Sequence, residues 1–345
     1  MRIAVITHTT AGRGGIERVV EQQVAGLSAR GHQVDLVAGP TLGSGWLARA
    51  GSAGLLAFDS GRRLRDCDVV LAHYQPGPLV AARSGRPYAV YLHHPLRAAH
   101  PTAVQRERLR FRAWGTVGAG LAGVDRRSVR AAGVVAVPSP SVLAEAREVY
   151  GIDAELLPLG VDTTLFRPEA AVHGPLLFVG RPEERYKRLD WAIEVARRLA
   201  RPLHVVGAAR PRPVEGLEVV WHGFLTGTEL ADAYRSAELL LFPSMREDFG
   251  LVPLEAMACG LPVVGWDDGH GPSTTMRAGS GGVLAPAYDL EAFTAAAAGV
   301  LDDEALQTRL RRQGPQWVRA HYSVEQHIDR LHELLTELAA RSAAA

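Results

Sequence analysis

Lysine is nearly missing from this sequence. Of its 38 basic residues, 37 are arginine, and Lys187 is the single lysine. Cysteine is scarce too: Cys67 and Cys259 fall one in each half. That excludes a disulfide framework and fits a reducing compartment. No pair or cluster of Cys and His has the spacing of zinc ligands, so no metal is expected. No apolar run reaches the roughly 18 residues of a membrane span. The opening, Met1-Arg2-Ile3-Ala4-Val5-Ile6-Thr7, is too short for a signal peptide and runs straight into a strand pattern, so a cytoplasmic protein is expected. A net charge of +1 lacks the excess of a nucleic-acid binder, and no nucleic-acid partner is expected.

What is present is a chain of 345 residues, enough for two domains with separate cores. Charge is uneven along it. Residues 1–170 carry 20 arginines against 14 carboxylates, and residues 171–345 carry 18 basic against 23 acidic residues. The basic first half suits an anionic acceptor or an anionic membrane surface.

One stretch organises the second half. Glu238 to Phe242 reads as a short buried strand and Leu261 to Val264 as another. Between them lies a helix with Pro253 in its first turn, Gly260 at its end and Pro262 blocking continuation. Glu247 and Glu255 bracket the helix start, and Gly250 between them permits a close backbone approach. Free amides at a helix start attract anions. Amides for a phosphate and carboxylates for hydroxyls suit a sugar nucleotide. The same pattern also describes a tight turn followed by a helix with an acidic start.

Elsewhere strands and helices alternate. Ile3–Thr7, a glycine turn, a helix ending near Gly31 and the strand 31–38 form the first unit of a doubly wound sheet. The turn is not the dinucleotide fingerprint, because the third glycine would fall on Glu17. Residues 40–66 are rich in Gly, Ser and Arg. Strands at 68–73 and 88–92 follow, the second running into His93 and His94 at the end that faces a ligand crevice. Both histidines also fit an exposed loop. Residues 102–130 read as a largely helical stretch with Arg106, Arg108, Arg110 and Arg112 beside Phe111, Trp114, Val117, Leu121 and Val124. It suits a helix with a solvated basic side, or a face lying on a membrane. The second domain opens with strand 176–179, then Gly180-Arg181 and Tyr186-Lys187-Arg188, so that Arg181 and Lys187 meet at the strand's mouth and can pair with a diphosphate.

Five motifs in order resemble glycosyltransferase family 4. Glu247 and Glu255, embedded in Glu-Asp-Phe-Gly-Leu-Val-Pro-Leu-Glu-Ala-Met-Ala-Cys-Gly-Leu-Pro-Val-Val, look like its signature. Gly14-Gly15-Ile16-Glu17 is similar to its glycine-turn opening, Gly160-Val161-Asp162 through Phe166 and Pro168 to its domain crossing, and Arg181 with Lys187 to its cation pair. Tyr91-Leu92-His93-His94-Pro95-Leu96-Arg97 resembles a subgroup with Tyr-x-His-x-Pro-x-Arg, several of whose members use GDP-mannose, and puts His93, not His94, on the motif.

The resemblance implies two facing doubly wound Rossmann-like α/β domains (the GT-B fold) with the active site in the cleft. The implied domains are 1–165 on the acceptor side, 166–323 on the donor side, and a final helix, 324–345, crossing back to the first. It implies a retaining, metal-independent hexosyltransferase with no cofactor. The donor would be a nucleoside-diphosphate sugar, GDP-mannose or a UDP-hexose. The acceptor would be a glycan, a lipid-linked or a small molecule. Implied catalytic residues are His93, Arg181, Lys187 and Glu247. Implied donor-binding residues are Gly14, Gly15, Phe249, Gly250, Leu251, Val252 and Glu255. Peripheral contact with an anionic inner membrane face through 102–130 is a further expectation. Thr274 departs from the family, where glutamate is usual; threonine there is expected to cap a helix. The same fold also hosts sugar-nucleotide epimerases and non-catalytic donor-binding homologues, and both stay open at this point.

Overall fold

The computed structural model describes residues 1–7, 15–38, 64–97, 99–100, 114–169, 174–207, 213–276 and 281–344. The glycine turn with Gly12 and Gly14, most of 40–66, and the arginine run from Arg106 to Arg112 lie outside the described residues. The chain forms two compact units, Met1–Pro158 with His327–Ala345, and Leu159–Gln326.

The first unit holds a parallel sheet of β1 (Arg2–Thr7), β2 (Gln33–Ala38), β3 (Val69–Ala72), β4 (Tyr88–Tyr91), β5 (Val134–Val137) and β6 (Glu155–Leu156), in the order β2-β1-β3-β4-β5-β6. Its central strands are short, apolar or aromatic, and buried along their whole length, as strands covered on both faces must be. The helices are α1 (Gly15–Ala29), α2 (Gly77–Ser84), α3 (Trp114–Arg130) and α4 (Pro140–Tyr150). Ser139 caps α4 by accepting from the Val142 amide. The sequence pattern did not announce α2, because Pro76, Gly77 and Pro78 read as breakers; here Pro78 sits in its first turn, where no helical hydrogen bond is lost.

The second unit holds β7 (Leu176–Val179), β8 (Leu203–Val206), β9 (Val219–Gly223), β10 (Leu239–Leu241), β11 (Val263–Asp267) and β12 (Gly282–Pro286), all parallel, in the order β12-β11-β10-β7-β8-β9. Its helices are α5 (Leu189–Arg198), α6 (Gly227–Arg235), α7 (Leu251–Ala258), α8 (Gly271–Met276), α9 (Leu290–Asp302) and α10 (Glu304–His321). The α7 helix is apolar nearly all round, and Pro253 through Ala258 are buried. A helix of that kind belongs inside a core. Asp289 and Asp303 cap α9 and α10.

The last helix, α11 (Val324–Ala343), is counted with the first unit from His327 onward, the crossing expected of it. There it buries Ile328, Leu331, Leu334, Leu335 and Leu338, one apolar stripe at helical spacing. Gln23 of α1 donates to His327 Nε2 at 3.0 Å, and His327 Nδ1 donates to the Pro158 carbonyl at 2.7 Å.

Candidate functional site

In the second unit the strand order reverses between β7 and β10, so the loops after these two strands leave the sheet side by side. A crevice at such a switch point is where open α/β sheets take ligands. The β7 loop carries Arg181 and a short 3-10 turn, Arg185–Lys187; the β10 loop carries Glu247 and leads into α7. The Met245 amide donates to the Tyr186 carbonyl at 2.9 Å and stitches the loops together.

Across this seam the Lys187 ammonium donates to Glu247 Oε2 at 2.6 Å, with the two side chains 12% and 19% exposed. So short a charge-assisted bond in a mostly dry place is strong and directional. The ammonium also lies 4.9 Å from the centre of the Tyr186 ring, within cation–π range. The Tyr186 hydroxyl donates to Glu184 Oε2 at 2.8 Å, and Arg181 donates to Glu184 Oε1 at 3.2 Å. Burial, then Glu247 and Glu184, push the Tyr186 phenol well above its usual pKa, so it stays a donor. Arg181 and Lys187 thus sit on one network, each held by its own carboxylate.

The turn from Glu247 to Gly250 is set by close packing. The Gly271 amide donates to the Glu247 carbonyl at 2.9 Å. A Cβ on Gly271 would lie 2.4 Å from Phe249 Cα. Gly250 has φ +83°, and a Cβ there would lie 2.7 Å from Pro272 Cγ. Both positions need glycine, one for space and one also for its left-handed backbone. Gly250 is the residue before α7, and no side chain caps the helix start. The first-turn amides of Leu251 and Val252 therefore keep their donor capacity for an anion. Phe249 is buried with its ring edge-on to Tyr322. Glu255, one turn into α7, is 3% exposed and accepts from the Tyr234 hydroxyl at 2.9 Å. Thr274 does not cap a helix. It lies inside α8 and its hydroxyl donates back to the Gly271 carbonyl at 2.7 Å, because α8 starts three residues before it.

In the first unit, His93 follows β4 and His73 follows β3, the neighbouring strand. His73 Nδ1 and His93 Nε2 are 3.0 Å apart. The Tyr74 ring stacks on His93 with centres 5.3 Å apart, and Tyr91 flanks it at 5.0 Å. Burial pushes the His93 pKa well below its usual value, and that of His73 down to about 3. His94 points elsewhere: its Nδ1 donates to the Pro95 carbonyl and its Nε2 accepts from the Tyr74 hydroxyl, both at 2.7 Å. A small open pocket is lined by His73, Tyr74, Gln75, His93, His94 and Asp125, among others. Buried Asp125 of α3 holds this end of the sheet together. It accepts from Gln75 at 2.8 Å, from the Tyr150 hydroxyl at 2.7 Å and from His100 at 3.0 Å. The Tyr150 oxygen in turn accepts from the Leu96 amide at 3.3 Å, which ties down the loop that carries His93. Gly15 is the exposed first residue of α1, and Gly14 lies outside the described residues.

The model for "Glycosyltransferase Family 4" matches residues 13–165, and the model for "Glycosyl transferases group 1" matches residues 174–303. Between them they take in both of the switch-point loops and both histidines. The chain belongs to glycosyltransferase family 4.

Relatives and structural neighbours of this family 4 chain agree on fold. A D-inositol 3-phosphate glycosyltransferase of Kineococcus radiotolerans is 29% identical over 325 residues, 77% of this chain and 72% of the relative. Another, from Catenulispora acidiphila, is 43% identical over 103 residues, 30% of this chain and 24% of its own length. The chain thus spans about a quarter of the length of that relative. Sucrose-phosphate synthase from Thermosynechococcus elongatus superposes with a TM-score of 0.82 at 21% identity, covering 99% of both chains. Anabaena Alr3699/HepE in complex with UDP-glucose gives 0.77 at 16% identity, covering 98% of this chain and 100% of that one. These neighbours have the GT-B fold.

Of the residues singled out in the sequence, Arg181, Lys187, Glu247, Phe249, Gly250, Leu251, Val252 and Glu255 belong to one region of the second unit, and His93 to the first. Sequence reasoning missed Glu184, Tyr234 and His73. Glu184 had a signal, an acid three residues before the lone lysine. Tyr234 and His73 had none, since each acts on a partner found only by folding.

Proposed function

We propose that this chain transfers a hexose, with retention at the anomeric carbon, from a nucleoside-diphosphate sugar to an acceptor hydroxyl. The observation that carries the proposal is the seam between the β7 and β10 loops. It joins Lys187 to the carboxylate of Glu247, in the loop that leads into the uncapped start of α7, and holds Arg181 in the same β7 loop through Glu184. Departure of a nucleoside diphosphate builds negative charge on phosphate oxygens. Fixed cations and backbone amides stabilise that charge, which is the largest help a protein can give such a step. Arg181 and Lys187 do this without a metal. Glu247 holds sugar hydroxyls, Glu255 the ribose, and His93 an oxygen of the transferred sugar. The acceptor oxygen attacks on the face the leaving group departs from, and its proton passes to the departing phosphate oxygen.

The donor is GDP-mannose or a UDP-hexose; the UDP-glucose complex of the HepE neighbour supports the second. The acceptor is a glycan, a lipid-linked or a small molecule, and the inositol-phosphate transferases among the relatives support the last. Thermal shift with GDP-mannose and UDP-hexoses identifies the donor, since a bound ligand raises apparent stability. Incubation with that donor alone then gives slow hydrolysis, which Glu247→Ala abolishes while the variant still folds, with a Tm lowered by the unpaired Lys187 charge. Isomerisation of the sugar in place of hydrolysis identifies an epimerase. Binding with no turnover identifies a non-catalytic homologue.

A membrane-side acceptor is favoured by one further observation. On α3 the apolar Leu121 and Val124 are 41% and 42% exposed, next to exposed Arg126, Arg127 and Arg130. Apolar side chains rimmed by cations suit an anionic lipid surface. Anionic vesicles are expected to sediment the protein at low salt and release it at high salt; no sedimentation at low salt leaves a soluble acceptor.

A further inference from the structure

The two histidines of the first unit have a proton arrangement that their surroundings decide. His73 is 0% exposed, and its backbone amide donates to the Ile6 carbonyl at 2.9 Å, which fixes it at the mouth of β3 next to β1. Its Nδ1 faces His93 Nε2 at 3.0 Å. Its other nitrogen, Nε2, is buried and has no hydrogen-bond partner among the described residues. Both rings are neutral, because burial opposes their charged forms. Each ring therefore carries one proton, and a single proton lies between them.

Two arrangements are open. In the first, His93 donates from Nε2 to His73 Nδ1, and the proton of His73 must sit on Nε2. That puts a buried N–H where no group among the described residues accepts it, at a cost of about 1–3 kcal/mol. In the second, His73 donates from Nδ1 to His93 Nε2. The unpartnered Nε2 of His73 is then a bare lone pair, which protein interiors tolerate better than an orphaned N–H. His93 Nε2 is now an acceptor, so the proton of His93 lies on Nδ1. No protein group among the described residues takes that Nδ1 proton. His94 has no such spare nitrogen, since both of its ring atoms are engaged.

We propose that His73 is a positioning residue that locks His93 in the Nδ1–H tautomer, so that His93 meets the donor sugar as a neutral hydrogen-bond donor and not as a base. The stacked Tyr74 ring and the flanking Tyr91 ring hold the plane in which that N–H points. The role at the sugar rests on the donor reading above; the tautomer does not. No bond to hydrogen is made or broken at His93, and its part in transfer is electrostatic. A donor N–H suits a sugar oxygen that gains charge or loses freedom as the sugar reaches the transition state.

The test uses the full chain labelled with ¹⁵N-histidine and long-range ¹H–¹⁵N correlation spectra, which distinguish Nδ1–H from Nε2–H imidazole. Wild-type His93 is expected as Nδ1–H. His73→Phe removes the donor and should let His93 revert to a population with Nε2–H, while donor hydrolysis falls about tenfold in kcat with KM little changed. His73→Asn restores an amide N–H near the old Nδ1 position and should recover both the tautomer and most of the rate. An Nε2–H signal for His93 in the wild type overturns the proposal without any variant having to fold. Unchanged hydrolysis in a folded His73→Phe protein, or no recovery in His73→Asn, overturns the positioning role. A wild-type chain that hydrolyses no sugar nucleotide defeats the functional reading instead, and the wild-type spectrum still decides the tautomer.

Discussion

The two units share an architecture and differ in how their ligand-facing ends are made. In the second, the groups at the switch point are charged and paired: Lys187 with Glu247, Arg181 with Glu184. In the first, the groups after β3 and β4 are buried, aromatic and neutral, with His73 and His93 bonded to each other. Paired charges can be exchanged, because an incoming phosphate replaces a carboxylate on the same cation at similar cost. Buried neutral donors cannot be exchanged; they are set once, by packing.

Acid should separate the units first and with the largest effect. In the first unit burial lowers the pKa of His73 to about 3, and of His94 and His327 to about 4. Unfolded histidine titrates near 6.5. Between that value and about 4 the unfolded chain binds protons that the folded unit refuses. Stability contributed by these groups is complete above pH 6.5 and is lost as pH falls, at about 1.4 kcal/mol per pH unit for each histidine. Hydrogen exchange followed from pH 7 to pH 4.5 should show β3, β4 and α11 losing protection before β7, β10 and α7. Equal loss in both units would erase the contrast.

The paired charges of the second unit are sharpened by the lone lysine. Lys187→Ala should fold, and lose about a hundredfold or more in turnover, roughly 2.7 kcal/mol of transition-state stabilisation. Lys187→Arg should lose about tenfold, roughly 1.4 kcal/mol, because a wide planar fork replaces a compact ammonium beside Arg181. Both should weaken diphosphate binding more than nucleoside binding in calorimetry. Wild-type turnover in the arginine variant would make the lysine incidental, one position in 38 reached by chance.

Glu255 is the smallest break and a place where the second unit behaves like the first. It is buried and accepts from the Tyr234 hydroxyl, so its removal breaks that hydrogen bond. Glu255→Ala should lower stability by about 1–3 kcal/mol in urea melts, as well as weakening nucleoside diphosphate binding. Tyr234→Phe takes away the hydroxyl that bonded Glu255, and the double variant should therefore regain part of the loss. Full stability in Glu255→Ala would show that Tyr234 finds another acceptor.

The sequence by itself determined what depends on neighbours along the chain. The alternation of buried strands and helices was legible, since a fully covered parallel strand must be apolar throughout. So was the loop from Glu247 to Val252, where a glycine that permits a close approach precedes a helix start; its φ of +83° is set by the packing of Pro272 against it. Tertiary structure decided what depends on partners that folding supplies. The alternating pattern is the same in both halves, yet one sheet runs β2-β1-β3-β4-β5-β6 and the other β12-β11-β10-β7-β8-β9. Only the latter order brings the β7 loop against the β10 loop, so that Lys187 reaches a carboxylate 60 residues away. Asp125 offered no signal, because an acid in a basic helix reads as solvated until Gln75, His100 and Tyr150 close around it. Nor did His73. Its meaning lies in one nitrogen that meets His93 and one that has no partner among the described residues, and a proton goes where the fold leaves it an acceptor.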